Sequence, residues 1–221
     1  MKSDHIVNSF DKDIKSLTKS IILMGDKVLN LIQISENSIE NPSSANWLEA
    51  KKQDQEINDM EMQIQQDAIT ILALRQPVAI DLRLVASSIK ITGLLERMGD
   101  RAKNIVKKIQ TQHVSFDKNI LKDIKKMNLI VRDMVSKTID NITNYSKTTT
   151  QDTLQADHKV SRYYGEIFNK IVKNHEKKPL DPKEFISSIS IIKNYERIGD
   201  YAIKLSKIMH YIAKGEDYSS E

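Results

Sequence analysis

The sequence Leu-Glu-Arg-Met-Gly-Asp-Arg-Ala at residues 95–102 returns as Tyr-Glu-Arg-Ile-Gly-Asp-Tyr-Ala at residues 195–202. The similarity extends beyond this motif: aligned without a gap, residues 81–109 and 181–209 agree at eleven of 29 positions. Agreement of this extent in a sequence of mixed composition indicates an internal duplication. The protein is therefore predicted to consist of one structural unit used twice.

The repeated motif combines residues that are unfavourable inside a helix. Glu96 and Asp100 are four residues apart and so lie on one helix face, where like charges cost a few tenths of a kcal/mol. Gly99 between them costs about 0.8–1.0 kcal/mol relative to alanine. The second motif repeats all of these costs. A cation shared by the carboxylates would offset them, and the glycine would allow a neighbouring helix to come close.

Apolar residues recur at steps of three and four along most of the chain, as in amphipathic helices. Breaks at Asn41-Pro42-Ser43-Ser44, at Pro77, at Pro179 and at the polar connector 111–117 divide the pattern. Asp181 followed by Pro182 is a typical helix start. We predict six helices. The first carries its apolar pattern over residues 4–36 and is broken at Asn41, and the others lie at about residues 44–74, from Pro77 to the connector, 117–146, 151–175 and 182–213.

The loops are mostly short, which favours antiparallel neighbours, and no segment shows the alternation typical of strands. The prediction is an all-α fold of two tandem antiparallel three-helix bundles, at residues 1–112 and residues 113–221.

Composition narrows the classes of function. The net charge of +4 is modest and its basic residues are dispersed, which argues against nucleic-acid binding. The absence of cysteine excludes disulfides and thiolate metal sites. No apolar run approaches the roughly 20 residues of a membrane span, and the first residues lack an apolar signal-peptide core. We therefore expect a soluble, cytoplasmic protein.

Two acids on the second predicted helix occupy positions that its apolar pattern assigns to the interior. They are Asp54 and Glu61. Buried carboxylates are rare unless they are paired, protonated or bound to metal. The alternative is a wide helix face with both acids at its solvent-exposed edge. On the fifth predicted helix Asp157 takes the place of Asp54, but Tyr164 takes the place of Glu61.

These features together resemble the PhoU family of phosphate-uptake regulators. The resemblance rests on both Glu-Arg-x-Gly-Asp motifs and on the segments Arg75-Gln76-Pro77, Asp81-Leu82-Arg83-Leu84-Val85 and Asp54-Gln55-Glu56-Ile57-Asn58. It implies two three-helix bundles packed around a pseudo-twofold axis. It also implies metal ions held on the bundle surface by pairs of acids, as iron or zinc clusters in some members and as magnesium or manganese in others.

Carried over by position, the resemblance implies ligands in both repeats. They are Asp54, Asn58, Glu96 and Asp100 in the first repeat, and Asp157, Glu196 and Asp200 in the second. Ser161 stands where a further acidic or amide ligand is expected, so the second site is expected to be weaker. Sites rich in oxygen and free of cysteine suit hard cations and tolerate iron. In the alternative interpretation, Arg97 or Arg197 pairs with acids of an adjacent helix and the glycines serve packing alone.

The resemblance further implies a negative regulator of phosphate uptake and of the phosphate-starvation regulon. Its partners would be the ATPase subunit of the phosphate ABC transporter and a phosphate-sensing membrane histidine kinase, and it would form a homodimer. It would not be an enzyme. A metal-free helical adaptor remains an alternative. A carboxylate di-iron enzyme is disfavoured because none of the five histidines lies three residues after a candidate ligand glutamate.

Overall fold

A computed structural model gives the structure of residues 2–144 and 148–218. Over these residues the chain forms six α-helices and no strand, which confirms the all-α prediction. The predicted end of the fourth helix at residue 146 lies outside the described residues. The helices are α1 (Lys2–Glu40), α2 (Ser44–Arg75), α3 (Ala79–Gln112), α4 (Lys118–Asn144), α5 (Thr148–Lys177) and α6 (Pro182–Lys214).

Helix α6 shows how local sequence fixes a helix at both ends. The Asp181 carboxylate accepts a hydrogen bond of 2.9 Å from the backbone N–H of Lys183, and Pro182 occupies the first turn. At the other end Gly215 adopts a left-handed conformation with φ of 79°, and its N–H donates to the Tyr211 carbonyl at 2.7 Å. The start predicted at Asp181 is therefore confirmed, and it places the second acidic motif in the middle of α6.

The helices pack as two groups of three that share one core. Helices α1, α2 and α3 contact one another, as do α4, α5 and α6, and the groups meet where α3 packs on α6 and α1 on α4. The buried apolar residues of all six helices form a single cluster. The two predicted bundles are thus packed tightly together, and the division of the chain at residue 112 stays a prediction.

Two contacts illustrate how closely the groups pack. Tyr195 on α6 is fully buried, and its hydroxyl lies 2.9 Å from Oγ of Ser35 on α1. The Ser35 hydroxyl donates to the Ile32 carbonyl, so the tyrosine supplies the proton of the contact. Between α1 and α4, a Cβ added at Gly25 would lie 2.6 Å from Cδ1 of Ile139. Glycine is needed there because the two helices leave no room for a methyl group.

Candidate metal centres

The first group of predicted ligands lies where α2 and α3 pack side by side. Helix α2 carries Asp54 and Asn58, and α3 carries Glu96 and Asp100. Gly99, between the two acids of α3, is buried, and a Cβ there would lie only 3.1 Å from the side chain of Ile57 on α2. The glycine therefore permits the close approach that brings the acids together. We call Asp54, Glu61, Glu96 and Asp100 the first acidic cluster.

A lysine from the same helix lies among these acids. Nζ of Lys103 is 2.8 Å from Oδ2 of Asp54 and 3.1 Å from Oδ1 of Asp100. Asp54 is only 9% exposed, so it lies at an interior position and not at a solvent-exposed edge. Burial acts to lower the pKa of Lys103, but its hydrogen bonds to the two carboxylates and their charges raise that pKa overall. Lys103 thus carries a firmly held positive charge between α2 and α3.

Glu96 is half-buried and lies in a negative environment. Burial, and then the charges of Glu61, Asp100 and Asp54, raise its pKa, while the charge of Lys103 opposes the rise. A carboxylate so placed gains from any added cation.

Asn58 on α2 carries a side-chain oxygen without a hydrogen-bond partner. Its Oδ1 atom is buried and has no hydrogen-bond partner among the described residues. An unpaired buried acceptor costs free energy, so a cation or water reaching this atom would be stabilised. The position agrees with the predicted role of Asn58 as a ligand, which stays a prediction.

The second group of predicted ligands lies between α5 and α6. We call Asp157, Glu196 and Asp200 the second acidic cluster. Lys193 forms an ion pair with Glu196, and its Nζ also lies 4.9 Å from the centre of the Tyr164 ring. Arg197 approaches Asp200 at 3.5 Å within the same helix. In the alternative interpretation, Arg97 or Arg197 pairs with acids of an adjacent helix. Arg197 instead pairs within α6, and the side chain that joins acids of two helices in the first cluster is Lys103.

Asp157 carries the least compensated carboxylate of the second cluster. Its Oδ1 atom is buried and finds no hydrogen-bond partner among the described residues. Burial, followed by the charges of Asp200 and Glu196, raises the pKa of Asp157, and the neighbouring His158 opposes the rise. This oxygen also lies 3.4 Å from the position of a Cβ on Gly199. The second glycine therefore leaves space beside the carboxylate.

The sequence analysis considered only the acids and did not identify Lys103 or Lys193 as part of the clusters. Lys103 was detectable because it follows Asp100 by three residues, on the same helix face. Lys193 precedes Glu196 by the same spacing. The gapless alignment of the repeats sets Lys103 against Ile203 and Lys193 against Gly93. Each repeat therefore has one lysine in its cluster, at positions that are not equivalent.

The donor atoms have the chemistry that a hard cation requires. Carboxylate and amide oxygens predominate in both clusters, as magnesium, manganese and calcium prefer. Within residues 2–144 and 148–218, no three His, Asp or Glu side chains are arranged so as to hold a metal ion. In the first cluster Lys103 would have to release Asp54 and Asp100 to an ion. In the second, Asp157 is unengaged, but Lys193 would have to release Glu196 to an ion.

Comparison with known proteins agrees with the duplicated architecture. Residues 21–109 and residues 124–209 each match the family model for the PhoU domain, and together they make up most of the chain. The chain belongs to the PhoU family. The two PhoU matches each contain one acidic cluster motif, so the doubled motif is part of a doubled domain.

Curated PhoU relatives are similar over nearly their whole length. A protein of Rhizobium meliloti (strain 1021), named phosphate-specific transport system accessory protein PhoU homolog, is 27% identical over 100% of this chain and 94% of the relative. A homologue of the same name from Clostridium acetobutylicum is 26% identical over 94% of this chain and 95% of the relative. These proteins are named as accessory proteins and not as enzymes, which agrees with the prediction of a non-enzyme.

Crystal structures of PhoU proteins share the fold. PhoU from Pseudomonas aeruginosa superposes with a TM-score of 0.85 at 25% identity, covering 94% of this chain and all of that one. The phosphate transport system regulatory protein PhoU from Streptococcus pneumoniae gives the same score at 21% identity, which shows the fold alone. None of the described helices is long and apolar enough to cross a bilayer.

Proposed function

We propose that this PhoU-family protein is a negative regulator of phosphate uptake and of the phosphate-starvation regulon. The observation that carries the proposal is the doubled PhoU match in a chain that aligns along nearly the full length of relatives named accessory proteins of phosphate-specific transport. When phosphate is plentiful, the protein restrains the transporter and keeps the starvation response off.

The proposed partners are the ATPase subunit of the phosphate ABC transporter and the phosphate-sensing histidine kinase. The protein acts from the cytoplasm, where both membrane-associated partners present soluble domains, and it does so as a homodimer. The long, largely charged outer faces of its helices offer extended surfaces for such contacts.

We further propose that the acidic clusters bind a divalent or trivalent metal ion: iron, zinc, magnesium or manganese. The proposed ligands are Asp54, Asn58, Glu96 and Asp100 in the first repeat, and Asp157, Glu196 and Asp200 in the second. A bound ion would supply the positive charge that neutralises these acids. The ligands of each cluster come from two helices, so ion binding would also clamp α2 to α3 and α5 to α6.

The regulatory proposal is tested by deletion of the gene in a strain that carries a reporter for phosphate-starvation genes. In phosphate-rich medium the reporter should switch on, and the wild-type gene supplied in trans should switch it off again. Co-purification with the transporter ATPase and with the kinase tests the partners. A silent reporter in a strain without a second PhoU gene would contradict the regulatory role.

A metal-free helical adaptor is the second candidate, and the position of Lys103 favours it. This lysine already neutralises part of the first acidic cluster without any ion. Metal analysis of protein purified without chelator separates the candidates, because an adaptor of this kind contains no stoichiometric metal. Under the metal proposal, substituting Glu96 and Asp100 together by alanine removes the metal of the first repeat, while Glu49→Ala on the exposed face of α2 leaves it unchanged.

A further inference from the structure

Two neighbouring clefts lie on the second repeat, where the start of α4 packs against the end of α5. One, of about 410 Å³, is lined by lysine side chains, and the other, of about 450 Å³, has a largely apolar lining. The two clefts adjoin, because both are lined by Asp117, Asn174 and Lys177. We call the lysines of the first cleft the lysine cluster: Lys122, Lys126, Lys170, Lys173 and Lys177.

A buried acid holds two of these lysines in place. Asp123 is only 8% exposed and forms ion pairs with Lys170 and, at 3.6 Å, with Lys126. Nζ of Lys126 also lies 6.0 Å from the centre of the Tyr163 ring. Because the protein already fixes these two ammonium groups, an anion that enters the cleft loses less free energy in ordering them.

The other three lysines carry charge that the protein does not pair. Lys122, Lys173 and Lys177 are exposed and have no ion-pair partner in the part of the chain that the structure describes. Asp117, the second acid of the cleft, already accepts hydrogen bonds at both oxygens, from the first turn of α4 and from Asn174. Five lysines against two acids leave the cleft a net charge of +3, in a chain whose total is only +4. Such a cleft attracts a multivalent anion.

The corresponding cleft of the first repeat shows that packing does not require these lysines. It lies between α1 and α2, and its charged residues are Asp13, Asp67 and Arg75, which leave it a net charge of −1. Arg75 pairs with Asp13 at 2.9 Å. At the spacing that relates Asp54 to Asp157, the three lysines of α5 replace three residues without positive charge: Asp67, Thr70 and Leu74. The positive cleft is therefore a feature of the second repeat alone.

The apolar cleft beside the lysine cluster has the size and lining of a small-molecule site. Phe116 and Ile120 line it from the start of α4, and Leu180 lines it from the connector between α5 and α6. The N–H of Leu180 donates a hydrogen bond of 3.0 Å to Nδ1 of His175, which fixes this connector against α5. A ligand that spans Lys177 therefore meets cations on one side and apolar surface on the other.

We propose that the two adjoining clefts bind a nucleoside triphosphate, with its phosphate chain on the lysine cluster and its base in the apolar cleft. An inorganic phosphate ion carries too little charge for the lysine cluster and leaves the apolar cleft empty. The inference does not rest on the proposed metal binding or on the proposed regulatory role. Lys170 lies thirteen residues beyond Asp157, about 20 Å along α5 from the second acidic cluster.

Calorimetric titration of the full-length protein with ATP tests the proposal. EDTA is present throughout, so divalent metal ions do not contribute through ATP or through the acidic clusters. The variant that combines Lys173→Gln with Lys177→Gln removes two unpaired charges from the cleft. Lys159→Gln is the matched control, because it removes an exposed lysine of α5 about 20 Å from Lys173. Circular dichroism confirms that each variant is folded.

We expect ATP to bind at one site per chain. The double variant should weaken ATP binding by about tenfold, since each exposed charge contact is worth about three- to fivefold, whereas Lys159→Gln should leave the affinity within about twofold of wild type. Inorganic triphosphate should bind about tenfold more weakly than ATP, because burying about 60 Å² of the base in the apolar cleft is worth about one power of ten. Raising the salt concentration should weaken ATP binding to wild type.

Each contrary result overturns a defined part of the proposal. If inorganic triphosphate binds as tightly as ATP, the assignment of the apolar cleft to a base is wrong. If an equal concentration of inorganic phosphate displaces ATP, the cleft attracts anions in general and the choice of a nucleotide is wrong. Failure of ATP to bind, or binding that the double variant leaves unchanged, would overturn the whole proposal without affecting the proposed regulatory role or the proposed metal sites.

Discussion

The same substitution at equivalent positions of the two repeats should change stability in opposite directions. Asp157→Asn removes a charge that is costly in the folded protein, because one of its oxygens is buried without a partner and its pKa is raised by burial and by Asp200. The amide keeps a polar group at this place but carries no charge, so the repulsion from Asp200 and Glu196 is removed. A repulsion between neighbouring acids costs from a few tenths of a kcal/mol to about 1 kcal/mol, and Asp157 is only partly buried, so we expect Asp157→Asn to stabilise the metal-free protein by about 1 kcal/mol.

Asp54→Asn removes a charge that is compensated by an ion pair with Lys103. Its carboxylate is 2.8 Å from Nζ of Lys103, and the residue is only 9% exposed. Breaking a fully buried ion pair costs about 3–5 kcal/mol. Lys103 keeps its contact with Asp100 in the variant, and the new amide still accepts a hydrogen bond, so we expect a loss of about 2 kcal/mol.

Urea unfolding followed by circular dichroism in the presence of EDTA measures both changes. The corresponding shifts of the unfolding temperature are about +2 to +4 °C for Asp157→Asn and about −4 to −8 °C for Asp54→Asn. Asp59→Asn, on the exposed side of α2, serves as the control and should stay within about 0.5 kcal/mol of wild type. Changes of the same sign for both variants would refute the view that one carboxylate is compensated and the other is not.

Three further expectations can be checked on the same metal-free protein. The stability of wild type relative to Asp157→Asn should rise as the pH falls from about 7 to about 4. The pKa of Asp157 is raised in the folded chain, so the folded chain binds a proton at Asp157 more tightly than the unfolded chain does. Parallel urea titrations across this pH range measure the difference in the free energy of unfolding. Gly25→Ala should lower the free energy of unfolding by about 1 kcal/mol, because the added methyl group overlaps Ile139 on α4 and the cost of this overlap exceeds the gain in helix propensity. Gly165→Ala has nothing within 4 Å of its Cβ, so it should raise the free energy of unfolding by about 0.8–1.0 kcal/mol in the same assay. Tyr195→Phe should lose about 1 kcal/mol in urea unfolding because it removes the buried hydroxyl contact with Ser35, and an unchanged stability would show that this contact contributes nothing net.

The helical architecture could be predicted because local signals and hydrophobic period agree along most of the chain. Apolar residues at steps of three and four defined each core-facing stripe, and Asp181 with Pro182 marked a helix start that the structure confirms. The first helix ends at Glu40, directly before the predicted break at Asn41-Pro42-Ser43-Ser44.

Electrostatic partners were harder to predict than helices. The acids were noticed because a carboxylate at an apolar position is conspicuous in a periodic pattern. A lysine on the same helix face looks like an ordinary solvated residue in the sequence, and only the distance from Nζ to Asp54 shows that Lys103 reaches across to another helix. Cross-helix contacts depend on the relative position of α2 and α3, and periodicity within one helix carries no information about that.

The expected weakness of the second metal site depends on such contacts as well as on its ligands. That expectation rested on Ser161, which replaces an amide ligand at a single position. The structure adds the protein's own cations: Lys103 pairs with Asp54 and Asp100 in the first repeat, and Lys193 pairs with Glu196 in the second. Placing an ammonium group against a carboxylate ligand weakens a cation site more than losing one neutral oxygen donor does, because charged contacts outweigh neutral ones. Ranking the two sites therefore requires counting the protein's own cations together with its ligands.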